Sequence, residues 1–231
     1  MIDPFSTVLL DMNDTFMFGA DKFGPDQNYA LIYHQLGGTL EQSRVNRLIQ
    51  AAYNYLDILY PDPQYQETFP SLREAFLSVE DNDSLSEKDL ELLIKTFARH
   101  ELGVVPPEYA ASIDRLSQKF RLGLVIDIWA PKALWIEALN QCGVLQLCEA
   151  TSFSSDCGMV KPSPHPFLKV LRQMQVNPQD AVVIGDSVRR DLGGATAAGM
   201  SCILVGGARH PSALGSVASL IDVVDSVATA S

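Results

Sequence analysis

The sequence predicts an α/β protein with a three-layer, Rossmann-like core around a mainly parallel sheet, and with an all-helical domain inserted into that core. Short apolar runs at residues 8–10, 122–126 and 181–184 have the length and composition of buried strands. Helical patterns separate the later runs, which is typical of βαβ units. Between the first two runs, roughly 80 residues show helical patterns without a comparable strand.

The first strand and the insertion come from the amino-terminal half. Residues 8–10 are predicted to be the first strand of the sheet. Apolar residues at helical spacing predict helices at 40–49 and 90–97, and Ser86 is a candidate N-cap for the second of these. The proline-containing stretch at 60–63 indicates a break between helices. These segments predict a helical layer that is separate from the sheet.

Strands and helices alternate after residue 106. Because strands that alternate with helices form parallel sheets, the first strand is expected to join the later ones. We therefore predict a core of residues 1–17 and 103–231 and a helical insertion of residues 18–102. The predicted helices are 108–120, 132–141, 166–174 and 192–198, and the predicted strands are 122–126, 150–153, 181–184 and 201–205.

The acidic composition excludes several kinds of partner. The 231 residues are 47% hydrophobic, which is enough for a sizeable core, and the net charge is −11. Nucleic acids and anionic membrane surfaces attract basic proteins, so neither is a predicted partner. If this protein binds a phosphate, it must concentrate positive charge locally, through a few side chains or a metal ion.

The cysteines and the hydropathy pattern predict a cytoplasmic protein. The four cysteines show no C-x-x-C pair and no zinc-type spacing with histidine, so reduced thiols are favoured. Residues 1–5 lack the basic and apolar regions of a secretory signal. No uninterrupted apolar run approaches the ~20 residues that span a bilayer.

Carboxylates follow two of the predicted strands. Asp11 ends the first strand, within residues 8–15 (VLLDMNDT), and Asp186 and Asp191 follow the strand at 181–184. Ligands of open α/β sheets bind at the carboxyl ends of strands. A cluster of these three side chains would offer the hard oxygen ligands that Mg²⁺ prefers. Taken alone, Asp186 is better explained as a simple helix cap.

Lys161 is the candidate for the missing positive charge. It lies in residues 158–164 (GMVKPSP), after a predicted strand and before a helix that Pro164 and Pro166 open. Pro162 favours an extended or turn conformation at Lys161. From there a lysine can reach over a strand end and neutralise two negative charges. The alternative is an ordinary solvated surface lysine.

Together, residues 8–15, 158–164 and 185–191 resemble, in order and spacing, the motifs of the haloacid dehalogenase-like hydrolase superfamily. The resemblance covers residues 7–15 and 105–231. The helical insertion falls where that superfamily carries a cap domain, here of the helical C1 type. The resemblance therefore implies a Rossmann-like core with an inserted cap.

The resemblance also implies an activity. The expected function is Mg²⁺-dependent hydrolysis of a small phosphorylated metabolite through an aspartyl-phosphate intermediate. Asp11 would be the nucleophile and a Mg²⁺ ligand, and Lys161 would hold Asp11 and the transferring phosphoryl group. The backbone carbonyl of Asn13 and the carboxylate of Asp186 would complete the protein's metal ligands, and Asp191 would support them.

Two positions depart from the superfamily pattern. Asn13 stands where a second Asp usually donates and accepts protons, and general acid–base assistance is typically worth ~10²–10⁴ in rate. Ile126 stands where a Ser or Thr usually binds the phosphate, although a shift of one residue would put Asp127 there. The residues that we predict to contact the substrate are Asn13, Asp14, Asp127 and Lys161.

These departures leave two hypotheses open. In the first, the protein is a slow or specialised phosphatase in which Asp127, Asp14 or a substrate group supplies the proton. In the second, it has lost efficient turnover and acts as a metal-binding, phosphate-binding or regulatory protein. We favour the enzyme because the acidic residues are retained, and clustered like charges are destabilising unless something binds them.

Two other reactions of the superfamily are less favoured. Dehalogenating relatives lack the acidic motif that this chain has at 185–191. Phosphonate-cleaving relatives also lack the second Asp, but they use a cap lysine that forms a Schiff base. The lysines between the first motif and the core are Lys22, Lys88 and Lys95. For Lys88 and Lys95 a solvated surface position is favoured.

Overall fold

The core of the protein is a parallel sheet of six strands. The computed structural model describes residue 2 and residues 4–80 and 85–228. The strand order is β3-β2-β1-β4-β5-β6, and every neighbouring pair is parallel, so the predicted sheet is confirmed. The strands are β1 (Thr7–Leu10), β2 (Arg121–Ile126), β3 (Cys148–Phe153), β4 (Ala181–Gly185), β5 (Ser201–Leu204) and β6 (Gly215–Ser216).

The predicted ranges of the core and the insertion extend over all 231 residues. Residues 1, 3, 81–84 and 229–231, which those ranges include, lie outside the described residues.

The central position of β1 brings three strand ends together. Leu10, the last residue of β1, lies opposite Leu124 of β2 and Ile184 of β4. Chain segments that leave these strands therefore begin at one edge of the sheet. Asp11 and Asp186 start two of these segments, at the edge where open α/β sheets bind ligands.

Alternate side chains of the strands pack into two apolar clusters, one on each face of the sheet. On one face Leu10 joins buried residues of α5 (Pro107–Ser117), α6 (Ala133–Gln141) and α10 (Leu220–Ala228). On the other face Leu9 joins α8 (His165–Met174) and α9 (Gly193–Ala197). Since both faces are covered by helices, the core has the predicted three layers.

The chain between β1 and β2 is helical, as its pattern predicts. The side chain of Ser86 accepts a hydrogen bond from the backbone of Asp89 at 3.1 Å, which confirms the predicted N-cap. The helix predicted at 40–49 is longer than its prediction, because Ala52 and Leu56 extend the buried face. Besides α5, the described α-helices of this part of the chain are α1 (Ala30–Gln35), α2 (Gln42–Leu59), α3 (Leu72–Ser78) and α4 (Glu87–Glu101).

The segment after β4 differs from its prediction. Instead of one helix at 192–198, a π-helical turn over Val188–Leu192 precedes α9. The carboxylate of Asp191 accepts a hydrogen bond from the backbone of Ser187 at 3.0 Å, and this contact holds the turn against β4. A short helix, α7 (Ser154–Cys157), also follows β3 without having been predicted.

Two predictions concern the whole chain. All four cysteines lie in the described ranges and are free. Within those ranges, no helix combines the length and the apolar character needed to cross a membrane.

Candidate active site

Asp11 lies at the centre of the candidate site, directly after β1. Its backbone N–H donates to the carbonyl oxygen of Ile184 at 2.9 Å, which fixes it to the neighbouring strand. Its side chain is 8% exposed, and Oδ2 accepts a hydrogen bond from the hydroxyl of Thr15 at 2.9 Å. Thr15 was not predicted as a site residue, although its place four residues after Asp11 was visible in the sequence.

Lys161 is a buried cation that two carboxylates share. Its side chain is 2% exposed, and its Nζ contacts Oδ1 of Asp11 and lies 2.8 Å from Oδ1 of Asp191. Burial alone lowers the pKa of Lys161, but the charges of Asp11 and Asp191 more than reverse this, so the pKa lies well above its ordinary value. Lys161 is therefore charged at neutral pH and joins the ends of two strands.

Asp11, Asp186 and Asp191 form one acidic cluster. A carboxylate oxygen from each lies within 4.8 Å of the others. Burial raises the pKa of Asp186 to about 6, and the charges of Asp11 and Asp191 act in the same direction. Burial also raises the pKa of Asp11, and Asp191 adds to this, while Lys161 opposes it. Three carboxylates around one lysine leave excess negative charge, which favours the binding of a further cation.

Gly185 gives Asp191 the room to reach Lys161. A Cβ atom at this position would lie 2.4 Å from Cγ of Asp191. We expect Gly185→Ala to displace that carboxylate and to lower the free energy of unfolding, measured by urea denaturation, by about 2 kcal/mol. Gly24→Ala is the matched control, because a Cβ there meets nothing within 4 Å. Equal losses in both variants would contradict this explanation.

Arg190 is a second cation in the site, and it was not predicted. Its guanidinium lies 3.5 Å from Oδ1 of Asp186, one helical turn away, and its side chain is 30% exposed. Burial lowers its pKa, but the charges of Asp11, Asp186 and Asp191 act in the opposite direction and the pKa is raised. The spacing of four residues from Asp186 was the available signal. Arg190 therefore adds positive charge beside the acidic cluster.

Asp127, rather than Ile126, faces Lys161. Ile126 is the last residue of β2, and its side chain is buried in the apolar cluster that also contains residues of α6. Oδ2 of Asp127 accepts hydrogen bonds from the backbone N–H of Lys161 at 2.9 Å and from the hydroxyl of Tyr60 at 2.6 Å. Tyr60 follows α2, so this contact also joins the inserted helices to the core.

Asn13 and Asp14 lie in the turn after Asp11. Asn13 is half-buried, and its side-chain Oδ1 is buried without a hydrogen-bond partner in the part of the chain that the structure describes. Asp14 is exposed and has a left-handed φ of 56°. The structure thus brings Lys161 into contact with Asp11 and Asp191 and places a carboxylate oxygen of Asp186 within 4.8 Å of theirs. Asp14 shows no hydrogen bond or ion pair to these residues in the described part of the chain.

A group of packed aromatic rings lies beside Asp127. The ring of Trp129 lies 5.4 Å from that of Tyr53 and 5.6 Å from that of Tyr60, measured between centroids. The buried carboxylate of Glu101 accepts hydrogen bonds from the backbone N–H groups of Trp129 and Ala130, at 2.6 and 2.9 Å. Burial raises the pKa of Glu101 to about 8, although these two hydrogen bonds oppose the shift. Glu101 thereby anchors the loop after β2 to α4.

A family model matches most of this chain. The model described as haloacid dehalogenase-like hydrolase covers residues 45–205, which is more than half of the chain.

Two curated relatives match shorter segments. The glyceraldehyde 3-phosphate phosphatase of Methanopyrus kandleri is 34% identical over 86 residues, which are 37% of this chain and 36% of that protein. The protein of the same name from Methanothermobacter thermautotrophicus is 34% identical over 100 residues, which are 43% of each chain. The matches therefore span less than half the length of both relatives.

A solved structure matches nearly the whole chain. The 2-haloacid dehalogenase from Pseudomonas syringae pv. Tomato DC3000 has a TM-score of 0.65 with 21% sequence identity, over 98% of this chain and 100% of that one. At this level of identity the likeness shows a common fold.

Proposed function

Because the chain belongs to the haloacid dehalogenase-like hydrolases, we propose that it is a Mg²⁺-dependent phosphatase that hydrolyses a small phosphorylated metabolite, with Asp11 as the nucleophile. The observation that carries this proposal is the buried Lys161, which contacts Asp11 and Asp191 beside the carboxylate of Asp186. The names of the two curated phosphatases support the phosphate ester as the substrate class.

The residues present fit a magnesium ion. Asp11 and Asp186 offer carboxylate oxygens within 4.8 Å of each other, and Mg²⁺ prefers such hard ligands. Both oxygens of Asp191 already accept hydrogen bonds, from Lys161 and from Ser187, so Asp191 positions its neighbours. Asn13 is proposed to contribute its backbone carbonyl. Bound Mg²⁺ would neutralise phosphoryl oxygens and reduce their repulsion from the nucleophile.

The proposed reaction begins at Asp11. A carboxylate oxygen of Asp11 attacks phosphorus, and the ester P–O bond breaks in line with the attack. Lys161 orients Asp11 and balances its charge, while the hydroxyl of Thr15 holds the second carboxylate oxygen. Lys161 and the backbone N–H groups after Asp11 stabilise negative charge on the phosphoryl oxygens. Water then attacks phosphorus, which releases orthophosphate and restores Asp11.

Proton transfer is the weak part of this reaction. The leaving oxygen must gain a proton and the attacking water must lose one, and the amide of Asn13 does neither at neutral pH. Asp14, Asp127 or a group on the substrate therefore takes this part, and turnover is slow.

We also propose that residues 18–102 form a helical cap over the site, which Tyr60 joins to the core through Asp127.

The test is a turnover screen that compares the wild type with Asn13→Asp on many phosphorylated metabolites. We expect weak activity of the wild type on some of them and a gain of ~10²-fold in the variant, because a carboxylate at this position can exchange protons. Released orthophosphate is measured with and without Mg²⁺. Asn54→Asp, an exposed change on α2, is the matched control and should leave the rate unchanged.

The same screen tests the alternative. If neither protein turns over any substrate, the phosphatase proposal is wrong, and a metal-binding, phosphate-binding or regulatory function takes its place. If the wild type is active and Asn13→Asp brings no gain, another group already supplies the proton.

A further inference from the structure

One oxygen of the Asp127 carboxylate is fully occupied and the other is not. Oδ2 accepts two hydrogen bonds, from the hydroxyl of Tyr60 and from the backbone N–H of Lys161. Oδ1 is buried, and nothing in the described ranges hydrogen-bonds to it. Leaving a buried polar atom without a partner costs free energy, so such an atom calls for an explanation. An ionised carboxylate would leave negative charge on this oxygen.

The surroundings of Asp127 do not favour that charge. Tyr60 after α2 and Lys161 before α8 hydrogen-bond to Asp127, and Asp11 after β1 acts on it through its charge. Burial raises the pKa of Asp127 and the charge of Asp11 adds to this, whereas Lys161 and the hydrogen bond from Tyr60 lower it by less. The ammonium of Lys161 is already shared by Asp11 and Asp191.

The position of Asp127 suggests what Oδ1 binds. The segment after β2 begins at the same edge of the sheet as Asp11, and the backbone of Lys161 fixes Asp127 there. The side chain of Ile126 is buried in the core, so it offers nothing to a ligand. Asp127 is thus the first polar side chain that β2 presents at this edge.

We propose that Asp127 is held as a neutral carboxylic acid whose Oδ1–H donates a hydrogen bond to a phosphoryl oxygen of the substrate. In such an acid Oδ2, which accepts two hydrogen bonds, is the carbonyl oxygen, and the hydrogen is carried by Oδ1, which has no partner among the described residues. A neutral acid replaces repulsion of the phosphoryl group by a donated hydrogen bond. This inference rests on the proposed phosphatase function, since it requires a phosphoryl group in the site.

The chain offers a nearly isosteric test. In Asp127→Asn the amide oxygen must take the place of Oδ2, because Tyr60 and Lys161 both donate there. The amide N–H₂ then lies at the position of Oδ1 and donates at every pH. The variant is therefore a permanent form of the proposed donor, whereas the wild type loses its donor when Asp127 ionises.

The experiment measures binding of inorganic orthophosphate to the full chain with Mg²⁺, by calorimetry, between pH 5 and 9. Dividing the affinity of the wild type by that of Asp127→Asn at each pH removes the titration of phosphate itself. We expect this ratio of wild-type affinity to Asp127→Asn affinity to be near one at low pH and to fall by about tenfold or more as the pH rises. Asp127→Ala, which has no donor, should bind about tenfold more weakly than Asp127→Asn throughout.

Two further variants keep the test decisive. Asp127→Thr carries a hydroxyl donor that does not ionise, so it replaces Asp127→Asn as the reference protein if the latter folds poorly. Tyr60→Phe removes one hydrogen bond to Oδ2 and leaves the donor in place, so its affinity at low pH should equal that of the wild type. If Tyr60→Phe and Asp127→Ala weaken binding equally at low pH, the contact is only a link between helices and core.

Other outcomes overturn the proposal as well. A ratio that stays constant across pH means that Asp127 does not change its charge, and equal affinities of the Asn and Ala variants mean that it donates nothing. Absence of orthophosphate binding at every pH has the same consequence. The phosphatase proposal is judged separately by turnover: pH-dependent binding without turnover contradicts the phosphatase alone, and turnover with a constant ratio contradicts only the donor assignment.

Discussion

Asp11→Asn is expected to abolish turnover of every phosphorylated substrate that the wild type hydrolyses. The amide cannot attack phosphorus, so the covalent step is lost, and loss of a nucleophile costs on the order of 10⁴-fold or more. The shape of the side chain is kept, so the hydroxyl of Thr15 still has an oxygen to bind. Lys161 also keeps its ion pair with Asp191 at 2.8 Å. The measurement is release of orthophosphate from the best substrate in the presence of Mg²⁺.

The matched control for this change is Asp114→Asn, an exposed position on α5 that should leave the rate unchanged. Thermal unfolding followed by circular dichroism should show that both variants are folded. Trapping with beryllium fluoride and Mg²⁺ adds an independent readout, because a stable adduct should form on the wild type and not on Asp11→Asn. Residual turnover by Asp11→Asn above ~1% of the wild type would show that another group attacks phosphorus.

The strands were predictable where their residues are apolar on both faces. Residues 8–10 and 181–184 pack alternately into the two apolar clusters on either side of the sheet, and a continuous apolar run reports that arrangement. β6 was missed because its two residues, Gly215–Ser216, carry no hydrophobic pattern. Its pairing with β5 depends on where the chain returns to the sheet, which local sequence does not specify.

The site residues divide in a similar way. Asp11, Lys161, Asp186 and Asp191 could be expected near one another because parallel strands end at one edge. The structure places Lys161 in contact with Asp11 and Asp191, and a carboxylate oxygen of Asp186 within 4.8 Å of theirs. Tyr60 could not be expected there. It comes from the helical insertion, 67 positions before Asp127, and only the packing of the insertion on the core brings the two together.

Lys161→Met is expected to destabilise the fold as well as to remove activity. The change leaves Asp11 and Asp191 buried without their shared cation, and breaking a buried ion pair from one side typically costs ~3–5 kcal/mol. Methionine has a similar length and fills the same space, so the loss of stability is due to the missing charge rather than to a change in volume. Lys88→Met, at an exposed position on α4, should change stability by less than about 0.5 kcal/mol.

The pH dependence separates this explanation from a loss of packing. In the variant, Lys161 no longer opposes the effect of burial on the pKa of Asp11, so folding raises that pKa further above its unfolded value near 4. The resulting cost in stability is absent below about pH 4 and grows as the pH rises. In the wild type, the raised pKa of Lys161 keeps its contribution present throughout the neutral range, and that contribution is lost only in alkali. Urea unfolding is measured at pH 4 and pH 7.5 without added metal. The free energies of unfolding of the wild type and of Lys161→Met should differ little at pH 4 and by the full amount at pH 7.5. A difference that is equal at both values would assign the loss to packing, and would mean that Lys161 does not balance the charge of Asp11 and Asp191.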